Sequence, residues 1–478
     1  MEAKPPIGGL ASKFSHFFMQ TYKIPNIHNE KIILALGAES AGNFSLWRAG
    51  ELFHSEDFGD LIDLQNFSAF KVALLKFLKT QKIKPEIILS DLHPLFETTK
   101  LAQQLAKKYK AQYLPVQHHH AHVFSAIGDQ IVERGAWSVE REIPATIFGV
   151  ACDGTGLGTD GKIWGGEAFA ISNFQFPCLP AYRTGRPDRQ AISNENTNSN
   201  KIQIQRVGHL ENQILLGGEV AIQQPARFII AMINKFPISN FPAYLPTGQA
   251  GRAGRQFPIK SQFSNIKNKK QLAYELVRKF YNRNEFEVLW NQLEQNFNCL
   301  ETSSTARVLD AVSVLLGFSG NERFEKHGPI ALLEENSTKP YLNLNPKIKI
   351  LNPNKVQNQN DQNSTVKYIL ETTPLFEYLI KNLAKDKRRL AATAQKYLAD
   401  GMVEIIKLSN QSLVTSNQKM KVTSYQLLVT ASFASGGMTN NKIISEIMEK
   451  QGAYLNKKIP RGDAGISFGQ IMFYLLTK

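Results

Sequence analysis

The sequence predicts a mixed α/β fold of two lobes, and two kinds of pattern carry this prediction. Short apolar segments typical of buried strands alternate with segments whose apolar residues recur at helical spacing. Glycine-rich loops of the kind that hold phosphate follow several of the expected strands. The expected strands are residues 31–37, 43–48, 86–90, 112–116 and 145–152. The expected helices are 67–80, 97–109, 118–130, 220–234, 270–298, 304–317, 374–384, 388–409, 440–451 and 464–476.

The order of these elements also predicts how the chain is divided. Strands followed by helices, with phosphate loops at the strand ends, are typical of an actin/Hsp70-like (ASKHA) two-lobe fold that holds nucleotide and metal in the inter-lobe cleft. We expect a leader or linker over residues 1–30, an N-terminal lobe over 31–180, and a second lobe with a nucleotide loop and closing helix over 206–478. Polar segments that cannot bury much apolar surface are expected to be insertions or a tether. They lie near 183–205, 236–270, 335–367 and 410–424.

The composition favours a cytoplasmic enzyme. A chain of 478 residues with 42% hydrophobic content can bury a large core. No apolar run reaches about 18 residues, and the N-terminus lacks the apolar centre of a signal peptide, so no membrane span or secretion is expected. The three cysteines have no paired spacing, which excludes a disulfide framework and a cysteine-type zinc finger. We interpret Cys152 as a small apolar strand residue, with a catalytic thiol as the alternative.

The run VQHHHAH at 116–122 indicates a metal site. It holds four of the ten histidines of the chain. In a helix, His118 and His122 lie one turn apart on one face and can bind a single divalent ion, as in helical zinc motifs. The alternative is a solvated histidine tract without a biological ligand.

A glycine-rich segment follows the expected strand 145–152. Asp153 ends that strand, and the glycines of the DGTG sequence at 153–156 let backbone N–H groups approach an anion closely. This arrangement favours a phosphate-binding hairpin in which Asp153 orients a metal ion or a water. The alternative is an ordinary glycine-rich turn between two strands.

Two loops near the C-terminus predict further parts of the same site. An expected strand at 427–432 runs into the SGG turn at 435–437, and a helix begins near Lys442. Free N–H groups at such a turn bind a phosphate or a purine edge. Asp463 stands near the start of the closing helix, where it either caps the helix or completes a site of two histidines and one carboxylate.

Taken together, these motifs resemble the C-terminal transferase domain of HypF, the carbamoyltransferase of NiFe-hydrogenase maturation. They are more distantly similar to TsaD, the tRNA threonylcarbamoyladenosine transferase. The resemblance covers roughly residues 30–478, with gaps. The matching motifs are LALGAE at 34–39, SDLHP at 90–94, QHHHAH at 117–122, DGTGLGTDGKIWGGE at 153–167, LGGEVA at 216–221 with Pro225 and Arg227, TSS at 302–304 with Arg307, Asp310 and Ala311, SGG at 435–437 with Asn441, and DAGIS at 463–467 with Gly469 and Gln470.

The resemblance implies roles for individual residues. A divalent metal, Zn or Fe, would be bound by His118, His122 and Asp463, and Asp153 would act with the two histidines in catalysis. The bound nucleotide would be ATP or carbamoyl-AMP. The residues expected around it are Glu39, Asn43, Gly154, Thr155, Gly156, Gly217, Gly218, Glu219, Asp310, Ser435, Gly436, Gly437 and Asn441.

The resemblance also implies a reaction and partners. A carbamoyl group would pass from carbamoyl-adenylate to the C-terminal cysteine thiolate of a HypE-like acceptor protein. The sequence shows no acylphosphatase domain, Cys-rich zinc-finger region or YrdC-type synthase. We therefore expect a separate YrdC-type protein to supply the carbamoyl-adenylate.

The chain departs from the family pattern at three places. SAGNF at 40–44 stands where a Lys-Asn-Thr is usual, so a cation near the phosphates is lost, and Asn43 with the Gly42 backbone would partly replace it. FEKH at 324–327 replaces Tyr-Glu-Gly-Gln, and SGGMTNN replaces SGGVFQN.

The net charge of +15 raises the question of nucleic-acid binding. The lysines and arginines are spread along the chain, and KDKRR at 385–389 is typical of a solvated helix face, so nucleic acid is not the expected partner. Two alternatives stay open: a carbamoyl or threonylcarbamoyl transferase acting on a small molecule or tRNA, and a non-catalytic nucleotide-binding relic.

Overall fold

Two β-sheets form the framework of the protein. The computed structural model describes residues 18–25, 27, 29–134, 146–174, 201–236, 268–351, 366–416 and 431–478. Within these residues one sheet has six strands and the other has nine. Clusters of buried apolar side chains pack against both sheets. No helix in these ranges is long and apolar enough to cross a membrane.

The first sheet is built from the N-terminal part of the chain. Its strands are β1 (Met19–Lys23), β2 (Ile33–Ala35), β3 (Ser45–Arg48), β4 (Glu51–Ser55), β5 (Ile87–Asp91) and β6 (Gln112–Val116), in the spatial order β1-β4-β3-β2-β5-β6. The strands β2, β5 and β6 run parallel, and β3, β4 and β1 extend the sheet in antiparallel fashion. Successive side chains point to opposite faces, so Ile33 and Ala35 pack in one buried cluster and Leu34 in another.

Three helices accompany the first sheet. They are α1 (Leu64–Thr80), α2 (Glu97–Tyr109) and α3 (His118–Arg134). The helix α1 begins at Asp63, whose carboxylate accepts the N–H groups of Gln65 and Asn66. The helix α2 is the crossover between the parallel strands β5 and β6, and α3 begins two residues after β6 ends.

The second sheet has β7 and β8 near its centre. Its strands are β7 (Thr146–Leu157), β8 (Ile163–Ser172), β9 (Gln203–Leu210), β10 (Gln213–Leu216), β11 (Cys299–Thr302), β12 (Ile348–Ile350), β13 (Tyr368–Leu370), β14 (Ser432–Ser435) and β15 (Ala453–Leu455). The main path is β12-β13-β9-β8-β7-β14-β15, with β10 paired to β11 and β11 touching β8. The strand β14 runs parallel to β7, so its last residue, Ser435, lies beside Ala151, two residues before Asp153.

Ten further helices lie among the described residues; the first nine pack around the second sheet, and the last packs on α3 and the first sheet. They are α4 (Val220–Gln223), α5 (Ala226–Asn234), α6 (Lys269–Val277), α7 (Arg283–Glu294), α8 (Thr305–Leu316), α9 (Gly328–Glu335), α10 (Thr373–Lys381), α11 (Lys387–Ser416), α12 (Lys442–Lys450) and α13 (Ile466–Thr477). Polar caps fix where several of them begin. The Ser304 hydroxyl accepts the Arg307 N–H at the start of α8, and Asn282 with Glu285 forms a capping box at the start of α7.

Several predicted elements have wrong boundaries. The expected helix 220–234 is two helices, α4 and α5, which Gln224 and Pro225 separate. The expected strand 145–152 does not end at Asp153, because β7 continues to Leu157 after a register shift between Cys152 and Gly156. The expected helix 270–298 is two helices, α6 and α7, since the capping box at Asn282 starts a new helix.

Parts of the expected leader, insertions and tether have regular structure. Residues 19–23 form β1, and residues 203–205 belong to β9. Residues 348–350 form β12, which pairs with β13, and residues 410–416 continue α11. The backbone of these parts is paired or helical although few of their side chains are apolar, and the division of the chain into lobes and insertions stays a prediction. Residues 1–17, 183–200, 237–267, 352–365 and 417–424 of these segments lie outside the described part of the chain.

Candidate functional site

The structure brings four titratable side chains together where the two sheets meet. His118 and His122 lie in the first turns of α3, Asp153 lies in the irregular part of β7, and Asp463 lies in a short 3-10 turn before α13. One ligand atom from each lies within 4.8 Å of the others. His118, His122 and Asp153 are buried, and the Asp463 side chain is 13% exposed. We call these four residues the His/Asp cluster.

The distances within the His/Asp cluster fall in a narrow range. His118 Nε2 lies 3.2 Å from Asp153 Oδ2 and 3.7 Å from Asp463 Oδ1. His122 Nε2 lies 3.5 Å and 3.6 Å from the same two oxygens. Ligand atoms about 2.0–2.2 Å from a tetrahedral zinc ion stand roughly 3.3–3.6 Å apart. The four side chains therefore have the spacing and the donor atoms that a divalent ion requires.

Within the His/Asp cluster, the carboxylates raise the pKa values of the two histidines, and the histidines lower those of the two aspartates. Burial opposes the charged form of His118, but the carboxylates of Asp91 and Asp153 outweigh it and raise the pKa of His118 well above its usual range. Burial also acts against the charge on His122, whose pKa is nevertheless raised by Asp153 and Asp463. Burial alone would raise the pKa of Asp153, but His122 and His118 hold it well below its usual range. Burial and the neighbouring Asp153 carboxylate would raise the pKa of Asp463. His122 and Lys326 outweigh them and lower that pKa to about 2.

The loop after β2 contacts the His/Asp cluster from one side. The Ser40 hydroxyl donates to Asp463 Oδ2. The Asn43 amide donates to the Ala464 carbonyl at 2.8 Å, and its oxygen accepts from the Ser467 hydroxyl. The expected nucleotide residue Asn43 thus anchors the turn that carries Asp463.

Glu39, another expected nucleotide residue, contacts a helix terminus. Its Oε1 atom accepts the Glu97 N–H at 2.9 Å. The residue before α2, Phe96, makes no side-chain cap, so the Glu39 carboxylate supplies one. The prediction that Glu39 binds nucleotide stays a prediction.

The glycine-rich loops lie on another side of the cluster. The Gly437 N–H points at Asp153 Oδ1 at 3.3 Å, and the Ser304 hydroxyl donates to the Gly154 carbonyl. The Arg461 carbonyl accepts from both the Ser435 hydroxyl and the Gly436 N–H. The expected phosphate loop and the expected adenosine loop are therefore adjacent, and Asp153 joins them.

Asn441 and Asp310 are placed in the protein interior. The Asn441 side chain accepts the Ile444 N–H at the start of α12 and donates to Gln395 Oε1 at 2.6 Å. Asp310 is buried in α8, and its carboxylate lies 2.8 Å from Arg307. Burial raises the pKa of Asp310, and the two nearby arginines, Arg307 and Arg323, only partly oppose that effect.

The remaining expected nucleotide residues differ in exposure. Thr155 is exposed in the irregular part of β7. Gly217 and Gly218 form a turn with positive φ after β10, and Glu219 begins α4 with no side-chain cap. Within the described ranges, no hydrogen bond joins residues 217–219 to the His/Asp cluster.

Three contacts of the site were not foreseen from the sequence. Asp91 Oδ2 lies 2.6 Å from His118 Nδ1, and the Lys326 ammonium lies 3.2 Å from Asp463 Oδ2 and 3.3 Å from the Ser40 carbonyl. The position of Asp91 at the end of an apolar strand is a sequence signal that could have indicated a site residue. Neither Ser40 nor Lys326 carries a local sequence signal of this kind.

Cys152 lies beside Asp153 but is not available as a nucleophile. It is buried, and burial raises the pKa of its thiol to about 12. The thiol is therefore protonated at neutral pH, which supports its interpretation as a core residue.

Two glycines of the DGTG sequence provide a matched test of packing. A β-carbon at Gly156 would lie 2.6 Å from His119 Cε1 and 3.0 Å from His118 Cδ2, whereas a β-carbon at Gly154 would meet nothing within 4 Å. We expect Gly156→Ala to lower the free energy of unfolding by roughly 1–3 kcal/mol because buried rings must move, and Gly154→Ala to change it by less than about 0.5 kcal/mol. Urea denaturation of the metal-free proteins measures both. Equal effects of the two substitutions would contradict this packing.

Comparisons with known proteins agree with this geometry. A family profile described as "HypF Kae1-like domain" matches residues 28–129. A second profile, described as "Carbamoyltransferase, Kae1-like Domain, second subdomain", matches residues 149–181 and 195–470. The probable carbamoyltransferase HypF of Methanocaldococcus jannaschii is 30% identical over 466 residues, which cover 94% of this chain and 47% of that relative. A carbamoyltransferase HypF homolog of Cupriavidus necator is 28% identical over 314 residues, which cover 66% of this chain and 62% of that relative.

Solved structures show the same fold. A crystal structure of full-length HypF in the phosphate- and nucleotide-bound form superposes with a TM-score of 0.65 at 20% identity, covering 95% of this chain and 47% of that one. The crystal structure of T. kodakarensis HypF gives a TM-score of 0.64 at 22% identity, covering 95% and 48%. At these identities the likeness is evidence for the fold alone.

The fold and the matched profiles define a Kae1-like α/β protein of the actin/Hsp70-like class. Within that class, the chain belongs to the HypF carbamoyltransferase family. It spans about half the length of the M. jannaschii relative.

Proposed function

We propose that this chain transfers a carbamoyl group from carbamoyl-adenylate to the C-terminal cysteine of a HypE-like protein during NiFe-hydrogenase maturation. The observation that carries the proposal is the His/Asp cluster, which adjoins the Gly437 N–H and the loop at Gly154. Such N–H groups can hold a nucleotide phosphate, and a divalent ion bound by the cluster would polarise the acyl phosphate. Family membership and the nucleotide named for the solved HypF structure support this assignment.

A divalent metal fits the residues present. His122 Nε2 is buried and has no hydrogen-bond partner among the described residues, although two carboxylates lie within 3.6 Å. Coordination to a divalent ion would satisfy this nitrogen. We propose His118, His122 and Asp463 as ligands, with Asp153 as a fourth donor. Two imidazoles and carboxylates suit Zn²⁺ or Fe²⁺.

The ion would act as a Lewis acid, and the chain supplies the remaining parts of the reaction. The thiolate sulfur of the acceptor attacks the carbamoyl carbon, a C–S bond forms, and the C–O bond to the phosphate breaks. AMP leaves with the electron pair of that bond, so no oxidant or reductant is needed. The loops around Gly154 and Gly437 orient the phosphate, and Cys152, the cysteine next to Asp153, is buried and protonated and so does not compete with the acceptor thiolate.

The proposal includes partners and a compartment. The nucleophile comes from the acceptor protein, and a separate YrdC-type protein supplies the carbamoyl-adenylate. We place the reaction in the cytoplasm, since the three cysteines have no paired spacing. The two cysteines that the structure describes, Cys152 and Cys299, are free thiols.

The proposed activity is tested by reconstitution. Purified metal-loaded protein is incubated with ATP, carbamoyl phosphate, a YrdC-type synthase and a peptide ending in cysteine. We expect AMP release that depends on this chain and a mass increase of the peptide equal to one carbamoyl group. Nucleotide binding without either product would favour the non-catalytic relic. Carbamoylation of tRNA or a small molecule instead of the thiol would favour a different acceptor.

Metal uptake is expected to release protons. The pKa of His118 lies well above its usual value in the metal-free protein, so both ring nitrogens are protonated at pH 7. A bound ion must displace one of these two protons. We expect about one proton or more released per ion at pH 7, and an apparent affinity that rises as the pH increases. Titration calorimetry in buffers of different ionisation enthalpy counts the protons. Binding without proton release would contradict the paired state of His118.

A further inference from the structure

We propose that Asp91 is a positioning residue that holds the His118 ring in the orientation and tautomer needed for metal binding. The proposal rests on the proposed function, because it concerns the same metal site. Asp91 belongs to none of the residues assigned above to metal or nucleotide. Its carboxylate contacts the ring nitrogen of His118 that faces away from the other members of the His/Asp cluster.

The topology of the first sheet explains why Asp91 reaches His118. Asp91 is the last residue of β5, and it pairs in register with Val116, the last residue of the parallel strand β6. The helix α3 starts at His118, two residues after Val116. Since parallel strands end at the same edge of a sheet, an acid at the end of β5 lies beside the first residue of α3.

Both oxygens of the Asp91 carboxylate are in use. Oδ2 lies 2.6 Å from His118 Nδ1, and Oδ1 accepts the His93 N–H at 2.9 Å. The side chains of Asp91 and His118 are 1% and 4% exposed, so water does not compete for this contact. The carboxylate cannot rotate without losing one of its two bonds, and the ring plane of His118 is fixed with it.

The contact also determines which ring nitrogen is free. When Nδ1 carries the hydrogen and donates it to Asp91, the lone pair is on Nε2, 3.2 Å from Asp153 and 3.7 Å from Asp463. Carboxylates placed in this way raise the basicity of a ligating imidazole and hold its orientation. His118 is thereby set to coordinate through Nε2.

The two histidines of the cluster differ in this support. The Nδ1 atom of His122 is buried and has no hydrogen-bond partner in the described part of the chain. Only His118 is held by a carboxylate on its outer side. Metal affinity should therefore depend on a residue that itself touches no ion.

The test compares the affinity of the whole chain for Zn²⁺ in the Asp91→Asn and Asp91→Glu variants. Competition with a chromogenic chelator measures the Kd, and far-UV circular dichroism confirms folding. We expect Asp91→Asn to weaken binding about 10–100-fold, as loss of such outer carboxylates does. Asp91→Glu keeps the charge, and we expect it to recover part of the affinity. The visible spectrum of bound Co²⁺ should change in Asp91→Asn, because the field of one imidazole ligand changes.

Glu211→Gln provides the matched control. The Glu211 carboxylate accepts the N–H groups of Thr372 and Thr373 at the start of α10 and makes no contact with the His/Asp cluster among the described residues. We expect this variant to lose stability while its Kd and Co²⁺ spectrum stay those of the wild type. Folded Asp91 variants with the wild-type Kd and spectrum would overturn the role of Asp91 and leave the metal site standing. Absence of metal binding by the wild type would overturn both.

Discussion

The double substitution His118→Ala/His122→Ala is expected to eliminate stoichiometric metal and to reduce carbamoyl-dependent AMP release by roughly 1,000-fold or more. Both imidazoles face Asp153 and Asp463, so their loss leaves only carboxylates around the centre. A polarising ion contributes several kcal/mol of transition-state stabilisation, and each 1.4 kcal/mol is a factor of ten in rate. Metal analysis of the dialysed protein and a coupled AMP assay measure the two effects.

His120→Ala is the control for this variant. His120 lies on the same helix, and its ring packs against Phe169 and Phe473 instead of joining the cluster. The substitution removes the same kind of side chain from a half-buried position, and desolvation lowers the pKa of His120 to about 4, so no charge is lost at neutral pH. We expect His120→Ala to retain metal and turnover at some cost in stability. Full activity of the double variant would exclude the histidines from the reaction.

The largest effect on stability is expected for Gly436→Ala. Gly436 has φ 104° and ψ 157°, a region that only glycine adopts readily. A β-carbon there would also lie 2.2 Å from the Cys152 carbonyl oxygen, a backbone atom that cannot move aside cheaply. We expect a loss of roughly 3–5 kcal/mol in the free energy of unfolding, with weaker nucleotide binding because the neighbouring Gly437 N–H moves away from Asp153. Denaturant unfolding and nucleotide titration measure the two effects.

Gly452→Ala separates the cost of backbone strain from that of the clash. Gly452 has φ 92°, but a β-carbon there would meet nothing within 4 Å. We expect a loss of about 1–2 kcal/mol, since only the backbone conformation is strained. If Gly436→Ala cost no more than Gly452→Ala, the close approach of the 435–437 loop to β7 would be wrong.

The sequence predicted those features of the site that depend on helical periodicity or on the residue types of a turn. The spacing of His118 and His122 placed both on one face of α3, and the expected helix 118–130 is confirmed by α3. The SGG turn at 435–437 was predicted to open the helix near Lys442, where α12 begins. Each of these features depends on residues a few positions apart.

Features that depend on distant partners could not be predicted in the same way. The register shift in β7 depends on its pairing with β8, and the role of Asp91 depends on the parallel alignment of β5 and β6. Lys326 is a further case. The resemblance indicated that a cation was lost near Ser40, yet the Lys326 ammonium lies 3.3 Å from the Ser40 carbonyl. The cation beside Ser40 therefore comes from a segment nearly 290 positions away.

The His/Asp cluster also has a consequence for the time course of synthesis. Roughly 340 residues separate His122 from Asp463, the proposed carboxylate ligand. At about 5–20 residues per second, a ribosome needs roughly 20–70 seconds to pass from one to the other. During that interval the nascent chain offers two adjacent imidazoles without the final carboxylate. An ion captured then would be held by an incomplete site, so the proposed ligand set predicts that correct metal loading follows synthesis of the segment that carries Asp463.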